Sequence, residues 1–162
     1  MLSLLHIENI AVIECADISF DRGFNVLTGE TGAGKSIVID AISAILGERA
    51  YRDMIRTGTE RASVRAVFTE VPEFSWFAEN GVEYDPETVI SRELNLDGKN
   101  ICRVNGTLVN VTSLHKLGIQ LINIHGQHDS AALFDEENHL AFLDAFADNG
   151  ELRASYGERY EA

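Results

Sequence analysis

The sequence is poor in the residues that would mark several classes of protein. Only two of its 162 residues are cysteine, Cys15 and Cys102, far apart and in no metal or redox spacing. That excludes a disulfide framework and reads as reduced packing thiols in a cytosolic protein. Two prolines and no Pro/Ser-rich stretch leave no linker or low-complexity tract, and there is no internal repeat. Positive charge is scarce: 13 Lys and Arg stand against 26 Asp and Glu, a formal net charge of −13. The summed field repels phosphate backbones, so any nucleic-acid contact has to be local. No apolar run approaches the ~20 residues of a membrane span. The start Met1-Leu2-Ser3-Leu4-Leu5-His6 has neither a basic segment nor a small-residue cleavage site. A soluble, cytoplasmic protein without a membrane partner is expected.

What is present suits one α/β domain, since 45% hydrophobic residues suffice for a core around a sheet. Leu2–Ile7 and Ala11–Phe20 read as strands separated by Glu8-Asn9. Asp21-Arg22-Gly23 is turn chemistry, and Phe24-Asn25-Val26-Leu27 suits a buried strand running into a glycine-rich loop. Ile37, Val38, Ala41, Ile42, Ile45 and Leu46 then recur at helical spacing, with Gly47 as the stop. Ala62–Val71 alternates like a strand, and Glu73–Gly81 carries Trp76 and Phe77 on an ambiguous segment, read as a short helix. Thr88–Leu94, Asn100–Val104 and Thr107–Val109, joined at Leu96-Asp97-Gly98-Lys99 and Asn105-Gly106, predict an antiparallel meander. A short helix capped by Thr112 or Ser113 and ending at Gly118 precedes an apolar strand, Leu121-Ile122-Asn123-Ile124. From Asp135 onward Leu140, Phe142, Leu143 and Phe146 fit an amphipathic helix, and Glu151–Ala162 is charged and helix-compatible.

The chemistry lies in Gly29-Glu30-Thr31-Gly32-Ala33-Gly34-Lys35-Ser36, which matches G-x-x-x-x-G-K-[ST] without departure between a predicted strand and a predicted helix. Backbone N–H groups can converge on phosphate oxygens only where glycine permits conformations that a Cβ hinders. The helix beginning near Gly34 adds unpaired amides and the positive end of its dipole, so the local field attracts an anion despite the acidic chain. Lys35 supplies a mobile cation for the β- and γ-phosphates, and the Ser36 hydroxyl is placed to ligate Mg²⁺. The bound molecule is therefore expected to be a nucleoside triphosphate, ATP with Mg²⁺.

Phosphoryl transfer needs more: a carboxylate for the metal and a group that orients water. Four apolar residues followed by Asp-Glu occur at Ala131-Ala132-Leu133-Phe134-Asp135-Glu136, on a segment that is not read as a strand. Ile37-Val38-Ile39-Asp40 and Ala141-Phe142-Leu143-Asp144 both fall within helical patterns, so hydrolysis by this chain alone is expected to be negligible. Gln127, just beyond the apolar run 121–124, can serve either as a metal and water ligand or as an ordinary loop residue. His125 and His128 lack a third ligand at zinc spacing. From the residues alone a nucleotide or small-molecule kinase stays open, with Arg49, Arg52, Arg56 and Arg61 as its available arginine cluster, as does a non-catalytic ATP-ordered interaction module. A GTPase is disfavoured by the lack of an Asn-Lys-x-Asp sequence.

One family resemblance covers nearly the whole chain. It is carried by Leu5-His6-Ile7-Glu8-Asn9-Ile10-Ala11-Val12-Ile13, by Phe24 through Ser36, by Leu46-Gly47-Glu48-Arg49-Ala50, by Arg103-Val104-Asn105-Gly106 and, most distinctively, by Ile124-His125-Gly126-Gln127-His128. These stretches resemble the RecN family, DNA-repair ATPases of the SMC-like branch of the ABC superfamily. The resemblance implies the N-terminal lobe of an ABC/SMC-type P-loop NTPase head, α/β with a mixed sheet and an antiparallel β subdomain, over residues 1–150. It implies that residues 151–162 begin a helical or coiled-coil arm. It makes Gln127 the Q-loop glutamine, catalytic alongside Lys35 and a metal ligand alongside Ser36, and it sets Arg56 near the nucleotide or DNA face. The implied partners are the protein's own C-terminal lobe, a second head in a homodimer, and DNA for the full-length protein during double-strand break repair at the nucleoid.

Overall fold

In the computed structural model the alternating stretches become six strands: β1 (Leu2–Ile10), β2 (Ile13–Ser19), β3 (Arg61–Phe68), β4 (Thr88–Asn95), β5 (Asn100–Val104) and β6 (Thr107–Val109). The helices are α1 (Lys35–Ile45), α2 (Ser75–Glu79) and α3 (Val111–Leu121), with a 3₁₀ turn at Arg52–Met54. The structure describes residues 1–29, 34–122 and 124, and thereafter His139, Leu140, Leu143, Asp144, Phe146, Ala147, Asn149, Leu152, Tyr156, Arg159 and Tyr160. Two compact units divide the chain, Met1–Asn123 and Ile124–Ala162.

The strand order is β2-β1-β3-β4-β5-β6, and all five pairings are antiparallel. Period-two alternation sets the faces. Ala62, Val64, Ala66 and Phe68 of β3 and Thr88, Ile90, Arg92 and Leu94 of β4 are buried, and their neighbours in sequence point to the opposite, more open face. Over the buried face α1 packs on β1, β3 and β4, and α3 on β5. Leu5, Ile7, Ile45, Leu114 and Leu117 form the centre of the core at 0% exposure.

The helix of the glycine-rich loop ends where Gly47 predicts, for a specific reason. Gly47 is left-handed at φ 87°; its N–H bonds to the Ala44 carbonyl, and the Glu48 N–H to the Ser43 carbonyl. These are the paired bonds of a Schellman stop, which satisfy carbonyls a helix end would otherwise orphan. The meander is likewise as expected, with Asn105 and Gly106 at φ 48° and 81° in the two-residue turn between β5 and β6.

Several expectations are corrected. Residues 24–27 form no strand, and Phe24 (94% exposed), Val26 and Leu27 are open to solvent instead of buried. Leu121 is the last residue of α3, and neither Ile122 nor Ile124 is in a strand. The sheet, expected to be mixed, is antiparallel throughout, and among the described residues neither segment has a partner strand; apolar character alone does not make a ladder. The cap of α3 is Asn110, whose Oδ1 accepts the Ser113 N–H at 2.7 Å, and not Thr112 or Ser113. Gly118 does not end α3 but lies buried within it. The first turn also moves: β1 runs through Glu8 and Asn9 and ends at Ile10.

In the second unit the described residues His139, Leu140, Leu143, Asp144, Phe146, Leu152, Tyr156, Arg159 and Tyr160 are helical, as the periodicity predicts. Phe142 lies outside the described residues. The Tyr156 and Tyr160 rings stack at 6.1 Å, and Leu140, Leu143, Phe146 and Leu152 are exposed. Among the described residues no helix is long and apolar enough to cross a membrane.

Candidate functional site

Gly34 is the N-cap of α1 and holds a left-handed conformation, φ 94°, with no side-chain cap. A Cβ built on it meets nothing within 4 Å, so the demand for glycine here is conformational and not steric. The backbone turns at Gly34, and its carbonyl immediately accepts the Val38 N–H at 3.1 Å, the first bond of the helix. Lys35 follows, and its ammonium donates to the Gly29 carbonyl, tying the two ends of the loop together. Ser36 is exposed in the first turn.

The electrostatics of this helix end favour an anion. The first-turn amides of Lys35, Ser36 and Ile37 fall before the ladder of intrahelical bonds begins, and no acidic residue lies in the first turn to neutralise the positive end of the dipole. Gly29, Gly34, Lys35 and Ser36 are thus brought together around one helix start. Glu30, Thr31, Gly32 and Ala33 lie outside the described residues, as do His125, Gln127 and His128. Among the described residues no group of three His, Cys, Asp or Glu side chains could hold a metal ion.

Beside the same helix is a cleft of roughly 310 Å³, lined by Ile37, Asp40 and Ser43 of α1, by Ile10 and Ala11 at the end of β1, and by Arg49, Tyr51, Asp53 and Met54. Sequence reasoning did not find it. The turn that forms one wall is strained: Asn9 has φ 55° and Ala11 φ 47°. Asparagine tolerates that region, whereas alanine there costs about 1–2 kcal/mol. Residues 54–56 hold the turn. The Ala11 N–H donates to the Met54 carbonyl at 2.8 Å, Ile10 bridges Ile55, and the Arg56 N–H donates to the Asn9 carbonyl at 2.9 Å. Arg56 Nη1 adds bonds to the carbonyls of Val12 at 2.8 Å and Ala11 at 3.5 Å. The guanidinium of Arg56 thus serves the backbone of the β1–β2 turn. Arg49 lies over the Tyr51 ring, 5.1 Å from its centroid, and Arg52 donates to the Asp97 carbonyl at 3.4 Å. Three of the four clustered arginines are engaged with their own fold.

Comparison with known proteins gives a consistent outcome. The family model of the AAA domain matches residues 4–148. The chain is 46% identical over 151 residues to the DNA repair protein RecN of Bacillus subtilis (strain 168), covering 91% of this chain and 26% of that protein. It therefore spans about a quarter of the length of that relative. A solved structure from work on ATP-driven dimerization and DNA-stimulated activation of SMC ATPases superposes with a TM-score of 0.64 at 22% identity, over 79% of this chain and 87% of that one. The SMC head domain from Thermotoga maritima gives a TM-score of 0.56 at 27% identity, over 72% of this chain and 41% of that one.

Proposed function

Because this chain belongs to the AAA-domain family, we propose that it is the nucleotide-binding N-terminal lobe of a RecN-like, SMC-type DNA-repair ATPase, holding ATP and Mg²⁺ at residues 29–36. The observation that carries this reading is the joint at Gly34: a left-handed cap, a lysine folded back on Gly29, and a helix start free of acidic side chains, all at the G-x-x-x-x-G-K-S sequence. In this reading the backbone amides of residues 29–34 and the first turn of α1 hold the polyphosphate. Lys35 leaves the Gly29 carbonyl for the β- and γ-phosphates. Ser36 ligates the metal, with Gln127 as a second ligand and the group that orients the attacking water. The adjoining cleft, reached from Ile37 and Asp40 on the same helix, is near the lower bound of small-molecule sites and suits the nucleoside end.

A magnesium ion would be held here by the Ser36 hydroxyl, oriented by α1, and would supply electrostatic stabilisation of the charge on the phosphates. Hydrolysis requires the C-terminal lobe of the protein and a second head in a homodimer. Binding of DNA, action in recombinational double-strand break repair, and residence in the cytoplasm at the nucleoid belong to the whole protein. The likeness to RecN and to SMC heads favours this over a small-molecule kinase, and the engagement of Arg49, Arg52 and Arg56 within the fold leaves little for a kinase lid.

The test is direct. The chain is titrated with a fluorescent ATP analogue and Mg²⁺, then combined with the C-terminal lobe and assayed for ATP turnover with and without DNA. Binding by the chain alone and turnover only in the combination are expected. Transfer of phosphate to nucleoside monophosphates would revive the kinase, and failure to bind any triphosphate would end the reading.

A further inference from the structure

Arg92 occupies a position in β4 where an apolar residue is expected. It falls in the buried phase with Ile90 and Leu94, and it is 3% exposed. Its Nη1 donates to two carbonyls, those of Ala44 and Glu48, both at 2.6 Å. Nε and Nη2 both donate to Oδ1 of Asn100, at 3.2 and 3.1 Å, and Asn100 in turn donates to the Gly98 carbonyl. Among the described residues no carboxylate pairs with it. Burial also pushes the guanidinium's pKa down, and Cys102 opposes this in part.

A buried cation without a counter-ion is costly, and a well-packed apolar side chain would ordinarily serve stability as well or better. What compensates Arg92 is the last turn of α1 and the stop that follows it, the negative end of that helix's dipole. The arrangement does something that apolar packing cannot. Apolar packing holds a helix on a sheet by shape alone, whereas a guanidinium whose Nη1 is bonded to two carbonyls four residues apart adds directional restraints on both axial position and rotation. The other end of this rigid rod is the phosphate loop. Eleven residues span about 16 Å, so a 10° change of axis at the anchored end would displace the first-turn amides by roughly 3 Å, far outside hydrogen-bond tolerance.

We propose that Arg92 is a positioning residue of the phosphate site, clamping the C-terminal end of α1 to β4 so that the first-turn amides, Lys35 and Ser36 stand where a polyphosphate needs them. The inference rests on the reading of residues 29–36 given above. It assigns to the sheet, through one side chain that touches no ligand, control over the geometry of the loop.

The experiment measures Mg-ATP affinity by titration in the full-length protein for wild type, Arg92→Met, Arg92→Lys and a control, Phe77→Leu, which disturbs the core at α2 away from α1. Thermal unfolding is recorded for each. Arg92→Met is expected to weaken binding about tenfold or more and Arg92→Lys, which keeps the charge but not the planar donor set, to recover only part of it. Phe77→Leu is expected to lower the melting temperature without changing affinity more than about twofold. Arg92→Met binding as tightly as wild type overturns the proposal, and so does an equal loss of affinity in Phe77→Leu. Should Arg92→Met fail to fold, Asn100→Ala decides: it keeps the guanidinium but removes half its fork, and unchanged affinity in that variant overturns the proposal. A wild type that binds no nucleotide refutes the site reading itself, an outcome distinct from a wild type that binds while Arg92→Met binds equally well.

Discussion

Gly118 lies so close to Leu46 that a Cβ on the glycine would stand 2.2 Å from the Leu46 carbonyl oxygen and 2.9 Å from its carbon. The relation is nearly reciprocal, since a Cβ on Gly47 would stand 2.4 Å from the backbone nitrogen of His115. Helix α3 and the end of α1 therefore meet backbone to backbone, and no side chain can yield to make room. Gly118→Ala is expected to destabilise the fold by about 2 kcal/mol or more, although alanine's intrinsic helix propensity alone would stabilise by about 1 kcal/mol. Urea denaturation decides between the two, and an unchanged or raised midpoint would mean the helices are not in this contact.

Lys35→Ala is expected to remove most ATP affinity while leaving the fold intact, because the ammonium is bonded to the carbonyl of Gly29 in the loop it closes, outside the buried core. Ligand at a hundredfold excess over its dissociation constant stabilises by about 2.7 kcal/mol. Wild type should accordingly show an ATP-dependent rise in melting temperature that the variant lacks. A rise of equal size in both would count against the phosphate loop as the binding site.

Gly34→Ala separates conformation from contact. Space is open around the position, so the cost is the left-handed backbone alone, about 1–2 kcal/mol. The expected result is a small loss of stability together with a large loss of ATP affinity, as the chain relaxes its turn and misdirects the first-turn amides. Circular dichroism melts and titration on one preparation check both.

The two thiols should behave oppositely. Cys15 is exposed and Cys102 buried, so a disulfide reagent should modify one thiol promptly and the second only on unfolding. Burial pushes the Cys102 thiol up, with Arg92 pulling the other way. A pKa raised in the folded state contributes stability that is fully present below the unfolded thiol's value and is lost as pH rises through the folded one. Between pH 8 and 10 the stability of wild type should therefore fall relative to Cys102→Ala, by no more than about 1.4 kcal/mol per pH unit. Parallel pH profiles for the two proteins would contradict this.

Asn110→Ala should cost about 1 kcal/mol through loss of the cap on α3, whereas Thr112→Ala should cost little. Denaturation midpoints in the opposite order would restore the sequence-based expectation.

The sequence carried the local rules and missed what depends on partners. The meander from Thr88 to Val109 was legible because turn chemistry and alternation agree, and the span of α1 because Gly34 and Gly47 bracket a clear helical period. Phe24–Leu27 read as a strand since its residues are apolar, but a strand exists only with a neighbour to bond, and composition names none. Gly118 read as a stop because glycine commonly ends helices; only the close passage of Leu46 explains a glycine inside one. Arg92 did leave a signal, a charge in the apolar phase of β4, and the cleft at Ala11 left none, because its strain and its walls come from residues 40 positions apart. At the phosphate site the motif spoke for Gly34, Lys35 and Ser36, whereas Gln127 rests on family resemblance.

In the strand order β2-β1-β3-β4-β5-β6, each strand after the first lies beside its predecessor in sequence except at one step: β3 comes in against β1, on the far side from β2. The chain between β2 and β3, residues 20–60, is thus the longest connection within the sheet, and the phosphate loop rides on it. The β1–β3 seam closes this connection, so a nucleotide that binds only the folded loop should stabilise the seam as well. A triphosphate held at Lys35 should slow amide exchange at Ile7 and Val64, residues that would never touch it.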